Sequence, residues 1–409
     1  MSLVTRERLG NSGEDAAEDI EDRPFRRMLR EALGVDLGPV PVIVGLIAVW
    51  IFFQTQNSNF LTSRNLSNLI LQMAVVTVLA MATVVVMVAG EIDLSLGSVT
   101  GVTSALLGVL LTNHHWSVWL ALAATFAVAS GIGLLQGAVT VLVGVPSFIV
   151  TLGGFLAWAG LQLSLIGSAG DLPVNNSTVV AISNSYLSHP VGWVLAAAVV
   201  AAAAGVEILR GRDRRLAGTS GSFPWLAVVR VLTVATAAFG LVAVLNNNFG
   251  VPYVLLVFGG VALALGWVMQ RTIFGRHIYA IGGNREASRR AGVPVSAIRI
   301  TVLGISGLLA GLAGVISTSN LYGTSAGVGG GILLLEAIAA AVIGGTSLFG
   351  GRGRIYQAVL GALIVASVEN GLALLGKAAS TEDMATGVIL VLAVSLDAFN
   401  RRRRAATGQ

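Results

Sequence analysis

Leu66-Ser-Asn-Leu-Ile-Leu-Gln-Met-Ala-Val-Val-Thr-Val-Leu-Ala-Met-Ala-Thr-Val-Val-Val-Met-Val-Ala89 carries no charged side chain, and Gly90-Glu-Ile-Asp-Leu-Ser-Leu-Gly-Ser98 breaks the run at once. An apolar stretch of about 20 residues matches the roughly 30 Å hydrocarbon core of a bilayer at ~1.5 Å rise per residue. Apolar character resumes after the break at 94–111. The other apolar runs are 39–53, 117–143, 147–167, 191–209, 231–247, 251–270, 300–320, 332–348, 355–375 and 384–399. In hydrocarbon every backbone N–H and C=O needs an internal partner, and the runs lack the two-residue alternation of an outer-membrane barrel, so helix is the expected state. The fold class is an all-α polytopic membrane protein. The first run is short, and 94–111 and 332–348 are interrupted by Gly, Ser or Glu. Ten to twelve crossings are therefore expected, with re-entrant or broken segments open at those places.

Composition agrees. With 55% hydrophobic and 11% charged residues among 409, and mean hydropathy +0.83, the chain holds more apolar surface than a globular core of this size can hide, so lipid must cover it. Of its 25 Arg and Lys residues, 23 fall into five stretches: Arg6 to Arg30, Arg210 to Arg230, Arg271 to Arg299, Arg352 with Arg354, and Arg401 to Arg404. All five occur after an even number of crossings, and the exceptions, Arg64 and Lys377, after an odd number. Cationic loops stay on the cytoplasmic side, so both termini are expected there. The resulting organisation is a cytoplasmic N-terminal segment 1–38, a transmembrane domain 39–399 and a cytoplasmic basic tail 400–409. The net charge of +5 is explained by topology. Its Arg residues flank membrane segments without interleaved aromatics, which argues against a nucleic-acid partner. The absence of Cys rules out a disulfide, a thiolate metal site and a thiol nucleophile. The first 38 residues mix acids and bases without an early apolar core, so no cleavable signal peptide is expected.

The segment 168–190, without Arg or Lys, reads as the largest external loop, and 211–222 as a polar internal loop. Many of the 51 glycines lie inside apolar runs. Gly307 and Gly311, four apart, fit a small-residue packing face, with a hinge as the other reading. An internal repeat is also visible. Residues 84–110, around the first break, resemble residues 341–371, around Ile343-Gly-Gly-Thr-Ser-Leu-Phe-Gly-Gly351. Both breaks follow an even number of crossings, as in a parallel repeat. Gly-interrupted segments at matching places in two halves point to a transport pathway.

Polar residues in or near the runs cost a few kcal/mol on insertion scales, which makes them functional candidates. They are Glu91, Asp93, Gln136, Gln162, Asn320, Glu336, Gln357, Glu369, Asn370 and Asp397. Glu91 and Asp93 either cap a helix starting near Leu94 or serve gating and coupling. Glu336, one turn into a span after the flexible stretch Gly323 to Gly331, either stabilises a helix N-terminus or faces a pathway. Glu369 and Asn370 lie deep in a span with no local basic partner and read as a pore-facing pair, with an interhelical hydrogen bond as the alternative. The candidate pathway set is Asp93, Ser95, Asn320, Glu336, Thr346, Ser347, Glu369 and Asn370.

The loop 271–299 is the most informative polar segment. Asn284 is a good N-cap, residues 285–291 favour helix, and Gly292 followed by Pro294 stops it. Glu286, Ala287 and Gly292 reproduce the EAA-xxx-G spacing by which permeases of ATP-binding-cassette importers touch their ATPase, with Ser288 standing for the second Ala. The bland alternative is a charged connector.

Four runs extend the likeness: Gly90 to Ser98, Val145-Pro-Ser-Phe-Ile-Val-Thr-Leu-Gly153, Gly275 through Ala287, and Ala339 to Gly351. Over about residues 65–400 the chain resembles the membrane permease of a sugar importer in the ribose, xylose, arabinose and galactose branch of that superfamily. The extra spans around the Arg-rich loop 210–230 make it most similar to the xylose-type permeases. It departs at Glu91, where the family usually has Gly. The resemblance implies a permease in the bacterial plasma (inner) membrane that passes a monosaccharide, a pentose such as xylose. It further implies a second copy of the subunit, a cytoplasmic ATPase that uses ATP and Mg²⁺, and an extracytoplasmic sugar-binding protein. Asn284, Arg285, Glu286, Ala287, Arg289, Arg290 and Gly292 then become the ATPase contact.

No cofactor is expected on this chain. Gly371 to Ala378 approaches a Walker A loop but has Ala where Ser or Thr belongs, and Gly327 to Gly331 has no preceding strand for a dinucleotide site. His114, His115, His189 and His277 lack metal-ligand spacing. An ion-coupled secondary transporter using Glu336 and Glu369 is the competing class, but it has no need of the 271–299 loop. An intramembrane enzyme would need a nucleophile, metal or acid–base constellation at one depth, and the sequence offers none.

Overall fold

Each of the twelve apolar runs is a helix in the computed structural model, which describes residues 40–216 and 224–406. In chain order these are α1 (Val40–Gln56), α2 (Ser63–Val88), α3 (Leu96–Thr112), α4 (Val118–Leu142) and α5 (Ser147–Ile166). After a short α6 (Ser177–Asn184) come α7 (His189–Leu216), α8 (Pro224–Asn246) and α9 (Tyr253–Arg271). Two short helices, α10 (Ile273–Gly283) and α11 (Arg285–Arg290), precede α12 (Val295–Asn320), α13 (Gly331–Ile343), α14 (Ile355–Leu374) and α15 (Ala379–Ala406). Among the described residues, eight helices are long and apolar enough to cross a bilayer, whereas α1, α3 and α13 are shorter. Those three are the short or interrupted runs of the sequence.

The centre is α2, whose Leu79, Ala80, Met81 and Ala82 are fully buried. Around it pack α12, α13 and α14, and α12 also packs closely on α3 and α4. Close approach there needs small residues. A Cβ on Gly307 would meet Ala129 O at 2.3 Å, and one on Gly311 would meet Ala129 Cβ at 2.6 Å. These glycines therefore form a packing face against α4, not a hinge. At the periphery α7 and α8 pair with each other and expose most of their apolar side chains, as lipid-facing helices do.

One sequence expectation is corrected and another gains detail. The segment 168–190, expected to be an external loop, carries structure: β1 (Asp171–Pro173) pairs antiparallel with β2 (Gly323–Ser325), and Ser183 N donates to Ser319 Oγ at 2.9 Å from within α6. The stretch 323–331, expected to be flexible, is tied down by that pairing and by Gln162 Nε2, which donates to Ser325 O at 3.0 Å and Val328 O at 2.8 Å. Both findings have one cause. Backbone polar groups at a membrane boundary find partners wherever two loops meet. The internal loop expected at 211–222 is helical as far as Leu216, and its remainder lies outside the described residues. The N-terminal segment 1–38 also lies outside them. The tail continues α15 to Ala406.

Candidate functional site

The first break begins where α2 ends. Gly90 takes φ +75°, and the chain runs without helix to Ser95 before α3 starts. Two N–H groups in that stretch are met by hydroxyls from the start of α5. Ser147 Oγ accepts from Ile92 N at 3.1 Å, and Thr151 Oγ1 accepts from Leu94 N at 3.0 Å. The Gly90–Ser98 and Val145–Gly153 motifs are thus two halves of one hydrogen-bonded unit. Asp93 organises its buried side: Oδ1 accepts from Ser95 N at 2.9 Å and Ser95 Oγ at 2.7 Å, while Oδ2 accepts from Ser306 Oγ of α12 at 2.7 Å. Gln136 Oε1 of α4 lies 3.0 Å from Ser95 Oγ. This carboxyl group therefore joins the break to α12 by hydrogen bonds that satisfy its buried oxygens.

The second break leaves α13 and packs against the first. Gly351 N donates to Val88 O at 2.9 Å, using a carbonyl that the end of α2 leaves free. Ser347 N donates to Arg352 O at 3.0 Å and Ser347 Oγ accepts from Phe349 N at 3.2 Å, so Ser347 shapes this turn. Thr346 is buried beside it, close to Gly353.

The helix pair α10–α11 meets both breaks. Thr272 Oγ1 caps α10 by accepting from Gly275 N at 3.1 Å, and Tyr279 Oη donates to Gly353 O at 2.6 Å. At the end of α10 backbones touch. A Cβ on Gly282 would lie 1.8 Å from Val88 O and 2.5 Å from Gly351 N, and one on Gly350 would lie 2.8 Å from Gly282 O. Asn284 then caps α11, its Oδ1 accepting from Ala287 N at 2.9 Å, and Gly292 leaves the turn at φ +80°. On the outer face of α11, Glu286 pairs with Arg289 and Arg290, which hold its carboxyl below the usual carboxylate range. Arg285 turns inward instead. It and Arg299 both bind Glu91 Oε1, each at 2.5 Å, beside a groove of about 300 Å³ that Ser147 and Thr140 also line.

The remaining candidates lie elsewhere in the fold, away from the two breaks. Glu369 and Asn370 are near the end of α14, some fourteen residues, or roughly 20 Å, from its start beside the second break. They also do not form a pair. Asn370 is buried in reciprocal hydrogen bonds with Asn65 (2.7 and 3.1 Å) and one to Gln72 Oε1 at 2.9 Å, which makes it an interhelical contact with α2. Adjacent helical residues point about 100° apart, so Glu369 faces α15 instead, accepting from Thr386 Oγ1 at 3.5 Å. Glu336 on α13 lies on that same side. Asn320, at the end of α12, donates to Leu71 O at 3.3 Å. The capping reading fails for Glu91, which joins two arginines, while α3 starts at Leu96, within two residues of the expected position.

The two breaks are thus clasped by one short helix pair inside a bundle of apolar helices. Residues 65–394 match the family described as branched-chain amino acid transport system / permease component. The chain belongs to this permease family. Among relatives, the xylose transport system permease protein XylH of Escherichia coli (strain K12) is 36% identical over 364 residues, 88% of this chain and 92% of that protein. XylH of Haemophilus influenzae is 32% identical over 374 residues, 90% of this chain and 98% of its own length. The ribose import permease protein RbsC of Escherichia coli (strain K12) is 30% identical over 355 residues, 87% and 92% of the two chains. No solved structure matches. The resemblance to xylose-type permeases is borne out, and the permease is a multi-pass membrane protein.

Sequence reasoning missed the partners that make the site a unit: Ser147, Thr151, Ser306 and Arg299. Ser147 and Thr151 stood inside a quoted motif, four apart on one helical face, and that spacing was the available signal. Nothing in the sequence linked Arg299 to Glu91 across 208 positions.

Proposed function

We propose that this permease forms the translocation pathway of an ATP-driven monosaccharide importer, with xylose the first sugar to test. The clasp of α10–α11 on both breaks carries the reading. A partner ATPase docking on the exposed face of α11 gains a short mechanical route, through Gly282 and Tyr279, to the two segments where transmembrane helices are interrupted. The names of the relatives, given for xylose and ribose transport, support the sugar class. ATP and Mg²⁺ are then used by the separate ATPase, an extracytoplasmic binding protein delivers sugar, and a second copy of this chain completes the membrane unit. The distribution of basic loops supports a cytoplasmic side of the plasma membrane for α10–α11 and both termini. An importer fed by a binding protein needs a pathway that passes sugar without holding it, and a pathway flanked by glycine-rich breaks suits that task.

The test is reconstitution. Proteoliposomes holding this chain and its ATPase should take up labelled xylose only with ATP and binding protein present. Uptake driven by an ion gradient without ATP would contradict the proposal.

A further inference from the structure

Glu91 sits on the extended segment just after α2, its side chain 3% exposed, and both arginines that bind it come from the far side of the site. Arg285 is the first residue of α11, with a side chain 46% exposed, and Arg299 is in the second turn of α12, 14% exposed. One carboxylate thus joins three elements: the first break, the exposed short helix and the long helix whose Ser306 binds Asp93. A buried carboxylate shared by two guanidiniums is short and directional, and it holds only while all three partners stay in register.

Resting on the importer reading above, we propose that Glu91 is a positioning residue for ATP-driven transport. It locks the first broken segment to α11 and α12 so that displacement of α11 by the ATPase moves the break. The backbone contacts at Gly282 reach Val88 and the second break, whereas the Glu91 link reaches the segment 91–95, which includes Asp93. Without the carboxylate, Arg285 and Arg299 lose their shared partner and repel each other across the groove. The helix can then move while the break does not follow.

The experiment compares the assembled complex of wild type, Glu91→Gln, and the charge swap Glu91→Arg with Arg299→Glu, which restores one carboxylate and two guanidiniums. The probe is whichever of labelled xylose, ribose or fructose the wild-type complex carries. The readout is sugar moved per ATP hydrolysed in proteoliposomes, with complex integrity followed by size exclusion. Coupling between sites is typically worth 5- to 150-fold, so Glu91→Gln should lower the ratio at least about 5-fold while hydrolysis continues, and the swap should recover part of it. An unchanged ratio in Glu91→Gln, or no recovery in the swap, overturns the proposal. Failure of both variants to assemble overturns it too, since the pair would then serve folding alone. If the wild-type complex shows no ATP-driven uptake, the importer reading itself has failed.

Discussion

Replacing Gly282 by Ala puts a methyl group 1.8 Å from Val88 O, 2.5 Å from Gly351 N and 2.9 Å from Val88 C. All three are backbone atoms, so no side chain can rotate away and the α10 end must separate from the breaks. Overpacking of this kind costs about 1–3 kcal/mol, and weakening the Gly351 N–H to Val88 O hydrogen bond costs about 1 kcal/mol more. Ala in place of Gly in a helix returns up to ~1 kcal/mol, leaving a net loss of about 1–3 kcal/mol. The neighbouring glycine supplies the control. A Cβ on Gly283 meets nothing within 4 Å, so Gly283→Ala should be neutral or slightly stabilising. Both variants are compared by thermal unfolding in detergent, followed by Trp fluorescence, and by ATP-driven uptake in vesicles. Gly282→Ala should unfold at lower temperature and transport less per ATP, while Gly283→Ala should match wild type. If the two variants behave alike, the backbone clasp does not transmit motion and the reasoning fails.

Ser306→Ala removes the donor to Asp93 Oδ2 and leaves that buried oxygen unpaired, which should cost about 1–3 kcal/mol; thermal unfolding of the purified permease checks it. Gly292→Val forces a branched residue into φ +80°, a strain of at least about 1–2 kcal/mol at the end of α11, so co-purification of the ATPase should fall while membrane insertion persists. Asn370→Ala should lower the unfolding temperature slightly, since interhelical hydrogen bonds in membranes average about 0.6 kcal/mol each, yet leave uptake intact; lost uptake in a stable variant would return Asn370 to the pathway.

The helices were legible because bilayer thickness imposes a length on every run, and the breaks because Gly, Ser and acidic residues cluster there within a few positions instead of standing singly in a run, as Gly307, Gly311, Glu336 and Glu369 do. The short helix α11 was legible for a local reason. Asn284 and Gly292 are cap and stop signals within nine residues of each other. Contacts across the fold were not legible. Nothing in the sequence says that Asn370 faces Asn65 while Glu369 faces Thr386, because two adjacent residues on one helix look alike until the neighbouring helices are placed. The pairing of β1 with β2 was hidden for the same reason, as each strand is three residues long and carries no pattern of its own.

In the proposed importer the exposed face of α11 receives the ATPase. A photo-crosslinking amino acid in place of Arg289, whose side chain is 71% exposed, tests it most directly in membranes that also contain the ATPase. The expected result is an adduct with the ATPase whose yield changes when ATP is added. An adduct that forms from residue 212 near the end of α7, with none from residue 289, would refute this docking.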